Sequence, residues 1–159
     1  MIMKKILLTT ICSLWGVLAV SAQSSMTADE LRFRNGIEQF LKEEGYVPTI
    51  DTEDNSLNFK KEGERFWLTV KDSSPTYIEI HKAGYSLDGE NRAYLIEACN
   101  KASYETRCAK AYVTKSSVSF TVEVFCNSVN EFRQIFYRSL KTLDAVKEAT
   151  KKYYNEFDQ

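Results

Sequence analysis

The sequence offers few side chains of the kinds that perform catalysis. Its single histidine is His81, which lies in a stretch of alternating polar and apolar residues. Because most hydrolytic and metal-binding sites built on histidine use at least one more titratable partner at a fixed spacing, we expect His81 to be a surface or hydrogen-bonded residue. The sequence has neither a glycine-rich phosphate loop nor a Gly-x-Ser-x-Gly motif. We therefore predict no catalytic residue, no cofactor and no enzymatic activity.

An acidic segment matches a calcium-binding loop only in part of its spacing. Asp51, Glu53, Asn55 and Glu62 fall at positions 1, 3, 5 and 12 of such a loop. Position 6, where the loop needs a glycine for its sharp turn, is Ser56, and the alternating residues that follow would carry Glu62 away from the other carboxylates. We therefore predict a solvated acidic loop and no metal site.

Three cysteines follow the N-terminal segment, and an odd number leaves at least one thiol without a partner in the chain. Cys99 lies on the apolar side of a predicted helix and can approach Cys126 in the core, so these two either stay free or form a disulfide. Cys108 is predicted to point outward. Arg107 and Lys110 lie beside it in the sequence, but they would not supply the base that a nucleophilic site needs.

Residues 1–22 have the features of a secretory signal peptide. Lys4 and Lys5 precede an apolar run that is followed by the small residues Ser21 and Ala22 at a suitable cleavage site. The run is shorter than the roughly 18 to 20 residues that span a bilayer, so we expect no stable membrane insertion after cleavage. The sequence thus predicts an exported protein, periplasmic or extracellular, with a single domain at 23–159.

The charge pattern disfavours nucleic acid as a partner. Two of the 21 basic residues belong to the predicted signal, so 19 remain against 22 acidic residues. Basic residues occur only in short pairs such as Lys60-Lys61 and Lys151-Lys152, whereas a phosphate-binding surface requires a basic stripe.

Two hydrophobic periods meet near the C-terminus. Apolar residues alternate with polar ones from Val118 to Cys126, which is typical of a strand with one face in the core. Apolar residues then recur at spacings of three and four, which predicts a long helix on the same core. The residues on this helical face are Val129, Phe132, Phe136, Leu140, Leu143, Val146 and Ala149.

The earlier elements follow from similar signals. Thr27 to Glu30 has the pattern of a capping box at the start of a first helix, which ends near Gly45. A hairpin with its turn at Glu62-Gly63 is predicted next, with residue 57 opposite 68 and residue 59 opposite 66. Ile78 and Ile80 then mark a third strand.

A second helix and a last hairpin complete the order. Asp88 is the predicted cap of the helix, whose apolar side carries Tyr94, Leu95, Ala98, Cys99 and Ala102. In the hairpin we expect Ala109, Ala111 and Val113 opposite Val124, Val122 and Phe120, with the turn at Ser116-Ser117. The sequence thus predicts an α+β fold of order α-β-β-β-α-β-β-α, with an antiparallel sheet packed against helices.

This order, with VSFTVEVF entering the final helix through CNSVNEF, resembles the type III secretion chaperone-like fold, and in particular its YbjN-like group of small bacterial domains. The resemblance covers Thr27 to Phe157. It implies helices packed on an antiparallel sheet, frequent dimerisation, and binding of protein partners without catalysis.

One outer surface of the sheet is the predicted site. Trp67, Tyr77, Tyr112 and Phe125 all point away from the core by the alternation, which is typical of a binding surface. A protein partner, a second copy of the chain or a helix of the same chain could cover these rings. We therefore expect a protein-interaction domain that binds a partner protein or a second copy of itself as a homodimer. The alternative is a carrier of a small apolar ligand between the last helix and the sheet, in a pocket lined by Phe132, Phe136 and Tyr137.

Overall fold

A computed structural model describes residues 26–71, 74–87 and 89–157, and the predicted signal peptide lies outside them. The described residues form an α+β fold with three helices and six strands, which confirms the predicted class. The helices are α1 (Ala28–Glu43), α2 (Arg92–Glu105) and α3 (Val129–Phe157). The strands are β1 (Thr49–Ile50), β2 (Leu57–Lys61), β3 (Glu64–Lys71), β4 (Thr76–Ser86), β5 (Ala109–Val113) and β6 (Ser117–Cys126). The pattern did not predict β1, because two residues are too few to show an alternation.

The strands form one antiparallel sheet in the order β1-β2-β3-β4-β6-β5. The predicted hairpin between β2 and β3 is confirmed, with residue 57 opposite 68 and residue 59 opposite 66. Glu62 and Gly63 form its turn with φ angles of 54° and 84°. Two positive φ values are what a tight hairpin turn requires, and glycine adopts them without strain.

The hydrophobic core lies between one face of the sheet and the helices. On β3 and β4 the buried side chains alternate with half-exposed ones, so each strand turns one face to the core. On α3 the predicted face is buried from Phe132 to Val146, and Phe40 of α1 packs edge to face on Phe132 and Phe136. The rings of Phe132 and Phe136 are fully buried, so both residues belong to the core.

Side chains cap all three helices. At α1 the Thr27 hydroxyl accepts the Glu30 N–H and the Glu30 carboxylate accepts the Thr27 N–H, which confirms the capping box. At α3 the Ser128 hydroxyl accepts the Glu131 N–H at 3.2 Å, while the Glu131 carboxylate accepts the N–H of Asn127 at 2.8 Å.

The predicted cap of α2 is wrong. The Asn91 side chain accepts the N–H groups of Ala93 and Tyr94, so the helix begins after Asn91. Asp88, the predicted cap, lies outside the described residues and three positions before the observed one. Asn and Asp are about equally good caps, so residue type alone did not distinguish the two positions.

The predicted register of the last hairpin is also wrong. Residues 109, 111 and 113 lie opposite 122, 120 and 118, two positions from the predicted partners. Thr114 sets the turn, because its N–H donates to the Ser117 carbonyl at 2.8 Å and its hydroxyl accepts the Ser117 N–H at 3.0 Å. Since side chains alternate with a period of two, a shift of two leaves every residue on its predicted face.

The cysteines in the described residues are free thiols. Cys99 on α2 and Cys126 at the end of β6 are buried, and burial raises the pKa of both, that of Cys99 to about 11. Cys108 is exposed, as predicted, but it precedes β5 and has a φ of 63°, so strand alternation is not what turns it outward.

A charged side chain lies on the core face of the sheet. Lys82 of β4 is 2% exposed and forms ion pairs with Glu64 of β3 and Asp144 of α3. Glu64 also pairs with Lys147 of α3, so two cations and two anions tie the sheet to the long helix. The two carboxylates more than offset the burial of the Lys82 ammonium, and its pKa is raised.

The edge of the sheet at β5 is protected by α2. The Ser103 hydroxyl accepts the Ala111 N–H at 2.8 Å and donates to the Ala111 carbonyl at 3.3 Å. These backbone groups are therefore unavailable to another strand.

Candidate functional site

The four predicted aromatic residues lie on the outer face of the sheet, opposite the core. Trp67 and Tyr77 are half-buried, whereas the side chains of Tyr112 and Phe125 are 41% and 68% exposed. The stacking and hydrogen-bond partners that the structure gives these rings are residues of the sheet itself. Among the described residues, therefore, contacts with neighbouring strands of the sheet hold these rings in position.

The four rings form separate groups instead of one continuous patch. Tyr77 and Phe125 are register partners on β4 and β6, with ring centroids 5.2 Å apart. Trp67 stacks on His81 of β4 with a centroid distance of 4.8 Å and an interplanar angle of 5°. The Tyr112 hydroxyl lies 3.4 Å from the Thr121 hydroxyl on the neighbouring strand.

Glu79 is the centre of a polar cluster between these groups. Its carboxylate accepts hydrogen bonds from the Thr69 hydroxyl at 2.7 Å, the Lys71 ammonium at 2.8 Å and the Tyr77 hydroxyl at 3.3 Å. Burial alone would raise the pKa of this carboxyl, but the bonds from Lys71 and Thr69 outweigh burial and lower the pKa to about 2. Glu79 is therefore a fixed anion at neutral pH.

Tyr77 and Glu123 extend this cluster toward Phe125. Burial and the hydrogen bond with Glu123 raise the pKa of Tyr77, and the charge of Glu79 adds to the effect. The phenol therefore stays protonated and acts as a donor. Lys110 of β5 donates to both carboxylate oxygens of Glu123 at 2.6 Å, so this second anion is also neutralised within the sheet.

His81 belongs to the same surface, although the sequence assigned it no role. Its Nδ1 lies 2.9 Å from the Thr121 hydroxyl, and its Nε2 lies 3.7 Å from the Glu79 carboxylate. Burial lowers the pKa of His81 despite the opposing effect of Glu79, so the ring is neutral at pH 7. The strand pairing explains this assembly, since Trp67 lies opposite His81 and His81 lies opposite Thr121.

The order hydroxyl, imidazole, carboxylate is also the order of a hydrolytic triad, but the geometry here does not suit acyl transfer. Thr121 is 3% exposed, so its hydroxyl cannot reach a substrate carbonyl. Its strand is paired on both sides, by β4 and β5, so the ladders use the backbone N–H groups that an oxyanion hole would need. The gap of 3.7 Å to Glu79 is too long for a hydrogen bond. The contacts of His81 and Thr121 instead hold the Trp67 and Tyr112 rings in place.

The acidic loop uses its carboxylates locally. Asp51 accepts the N–H of Glu53 and Asp54 accepts the N–H of Ser56, both at 2.9 Å, so these oxygens stabilise turns. Glu62 lies in the next turn and pairs with Lys61. Within the ranges that the structure describes, no group of three or more His, Cys, Asp and Glu residues could hold a metal ion.

The residues predicted to line a ligand pocket are placed differently. Phe132 and Phe136 are packed in the core, and Tyr137 is 44% exposed with its hydroxyl bonded to Glu44. A cavity of about 490 Å³ does lie between α3 and the sheet, but other residues line it. The sequence contained a signal for this cavity. The alternation of apolar residues in β6 and their spacing of three and four in α3 both turn apolar side chains toward the space between the strand and the helix.

No protein-family model matches this chain. A search of curated proteins found no match either. In the described part of the chain no helix combines the length and the apolar character needed to cross a membrane.

Proposed function

We propose that this chain is an exported, non-enzymatic interaction domain of the chaperone-like α+β type, and that the outer face of its sheet binds a polypeptide segment of a partner protein. The exposed ring of Phe125 beside Tyr77 is the observation that supports this proposal most directly. Aromatic rings at protein surfaces contribute large contact areas to interfaces and are enriched there.

The geometry favours binding across the face over strand addition at an edge. At β5, Ser103 occupies the N–H and carbonyl of Ala111, and at the other edge β1 has only two residues. An added strand needs a row of free backbone groups, and the contacts of Ala111 interrupt that row at β5 while the two residues of β1 offer only a short one. The exposed side chains of the face therefore make the contacts.

The face is organised before any partner binds. The stacking of Trp67 on His81 and the tilted contact between the Tyr77 and Phe125 rings restrict these side chains, and the bonds of Glu79 fix the polar centre between them. Side chains that are already ordered lose little conformational entropy on association. We expect a partner to place an apolar side chain on the Tyr77–Phe125 pair and polar groups over the centre.

The charges favour a partner protein over a second copy. A symmetric dimer centred on this face would bury the Glu79 and Glu123 ion pairs of both copies at the middle of the interface, where neither charge gains a new partner of opposite sign. The apolar groups at the ends are also separated by polar residues, whereas homodimer interfaces have a more apolar core. A different polypeptide avoids both problems.

The test uses Phe125→Ser and the matched control Tyr104→Ser. Tyr104 is 91% exposed and lies on α2, away from the outer face. A partner is captured from an envelope extract, identified by mass spectrometry, purified and titrated against both variants. We expect Phe125→Ser to weaken the affinity at least tenfold and Tyr104→Ser to leave it unchanged, with both variants folded by circular dichroism.

Two results would contradict the proposal. Equal affinity of the parent and Phe125→Ser for every purified partner would remove the outer face as the binding surface. A parent dimer in light scattering that Phe125→Ser converts to a monomer would identify a second copy as the occupant.

A further inference from the structure

A cavity of about 490 Å³ lies between the core face of β6 and helix α3. This volume is within the range of small-molecule sites, which is roughly 300 to 1,000 Å³. A second cavity of about 430 Å³ adjoins it, because Arg107, Arg138 and Thr142 line both. The region is separate from the outer face of the sheet and is not used by the proposed function.

The inner wall of the first cavity is apolar. Val122 and Val124 of β6 and Ile135 of α3 contribute aliphatic surface. Ser139 and Thr142 also line the cavity, but their hydroxyls donate to carbonyls of the preceding turn of α3, at 3.0 Å and 2.9 Å. Since these protons are already used, the wall offers a ligand mainly hydrocarbon contacts.

The rim of the cavity is basic. Arg107 and Arg138 line it, and Lys141 lines the adjoining cavity. Within the described residues these three side chains have neither an ion pair nor a side-chain hydrogen bond. By contrast, Arg133 and Lys147 on the same helix pair with Glu43 and Glu64. Among the described residues, Arg138 and Lys141 are therefore unpaired cations of α3 that line the cavities, while Lys151, further along the helix, is unpaired but lines neither cavity.

No acid among the described residues forms an ion pair with these cations. Glu105 also lines the second cavity, but the contact its carboxylate makes is a hydrogen bond accepted from Tyr153. The whole chain has a formal net charge of −1, so a group of three unpaired cations is not a consequence of a basic composition. Unpaired guanidinium groups next to an apolar space match a ligand with an anionic head and a hydrocarbon body.

We infer that this cavity binds an organic anion with an apolar chain, such as a medium-chain carboxylate. The carboxylate contacts the guanidinium groups of Arg107 and Arg138, and the chain lies against Val122, Val124 and Ile135. A bare inorganic anion would leave the apolar wall unused, and a neutral hydrocarbon would leave the arginines unpaired. Both parts of the site are therefore needed to explain its composition.

The test is a calorimetric titration of the full chain with decanoate, and with decanol and inorganic phosphate as matched probes. We expect saturable binding of decanoate with one molecule per chain, and at least tenfold weaker binding of decanol and phosphate. The double variant Arg107→Gln, Arg138→Gln should bind decanoate at least tenfold more weakly. The control is Lys151→Gln. Lys151 is an exposed residue of α3 that does not line the cavity, so this variant should bind decanoate as the parent does.

Both arginines are exposed, so the double variant is expected to unfold at the parent's temperature, which circular dichroism checks. Absence of saturable decanoate binding would overturn the inference. Equal binding of phosphate and decanoate would show a simple anion site, and an equal loss of affinity in Lys151→Gln would show diffuse attraction to the helix. Either result would also contradict the inference that the cavity binds an organic anion through its apolar chain.

Discussion

Replacing Lys82 with methionine tests whether the charged cluster on the core face stabilises the fold. The ammonium is almost fully buried and pairs with Glu64 and Asp144, and it lies 5.4 Å from the centre of the Phe66 ring. Methionine has a similar length and keeps the hydrocarbon packing while it removes the charge. The substitution therefore isolates the loss of the ion pairs.

The expected loss is smaller than for a fully buried pair. Removing one partner of such a pair typically costs about 3–5 kcal/mol, because the other charge is left without compensation. Here the side chains of Glu64 and Asp144 are 39% and 49% exposed, so water can replace part of the contact. Lys147 also continues to neutralise Glu64. We expect Lys82→Met to lower the free energy of unfolding by about 2 kcal/mol.

Urea denaturation of the parent, Lys82→Met and the double variant Lys82→Met, Asp144→Leu measures this effect. The double variant should recover at least half of the loss, because an apolar pair of similar volume replaces a carboxylate without a partner. The slopes of the transitions should be equal, since the same surface unfolds. A single variant within about 0.5 kcal/mol of the parent, or a further loss on adding Asp144→Leu, would refute the reasoning.

Three other substitutions test separate features. For Glu79→Gln, the folded pKa of about 2 lies below the usual 4.5, so the carboxylate stabilises the fold above pH 4.5 and this contribution is lost as the pH falls through 2. The variant should unfold more readily than the parent at pH 7, and the difference between the two should shrink as the pH falls toward 2. Ser103→Ala removes two hydrogen bonds to Ala111 at the β5 edge, so thermal melting should show a loss of about 1–2 kcal/mol and light scattering should show association that rises with concentration. Gly84→Ala would place a methyl group 2.1 Å from the Val118 carbonyl oxygen, so it should cost about 3 kcal/mol or more in urea denaturation, and a loss below 1 kcal/mol would contradict the close approach of β4 and β6.

The faces of the elements could be predicted because they depend on local periods. The alternation from Val118 to Cys126 and the spacing of apolar residues along α3 each describe one element. The predicted face of α3 is buried from Phe132 to Val146. The inward residues of β6 are buried except Val124, which is half-buried, but Ser119 and Thr121 on the other face of β6 are buried as well. The register of the last hairpin was wrong by two positions for a related reason. A shift of two preserves every face, so the hydrophobic pattern has no information that selects between the two registers.

The polar cluster could not be predicted, because it depends on pairing between distant strands. β6 lies between β4 and β5, and α2 separates β4 from β6 in the chain. Only this arrangement places Thr121 beside His81 and the Tyr77 ring beside Phe125. The inward position of Lys82 follows from its alternation with Ile78 and Ile80, but its partner Asp144 lies 62 residues away in the sequence, so the ion pair could not be predicted.

Strand β6 connects the two proposed sites, and its alternation keeps them separable. Phe125 contributes to the outer face, whereas its neighbour Val124 lines the cavity on the other side of the same sheet. Because successive side chains of a strand point to opposite faces, a change at Phe125 removes surface from one site without entering the other. Arg107 and Arg138 likewise line the cavity from outside β6. A loss of partner binding in Phe125→Ser together with unchanged decanoate binding would therefore reflect the outer face alone, and the reverse pattern in the arginine variant would reflect the cavity alone.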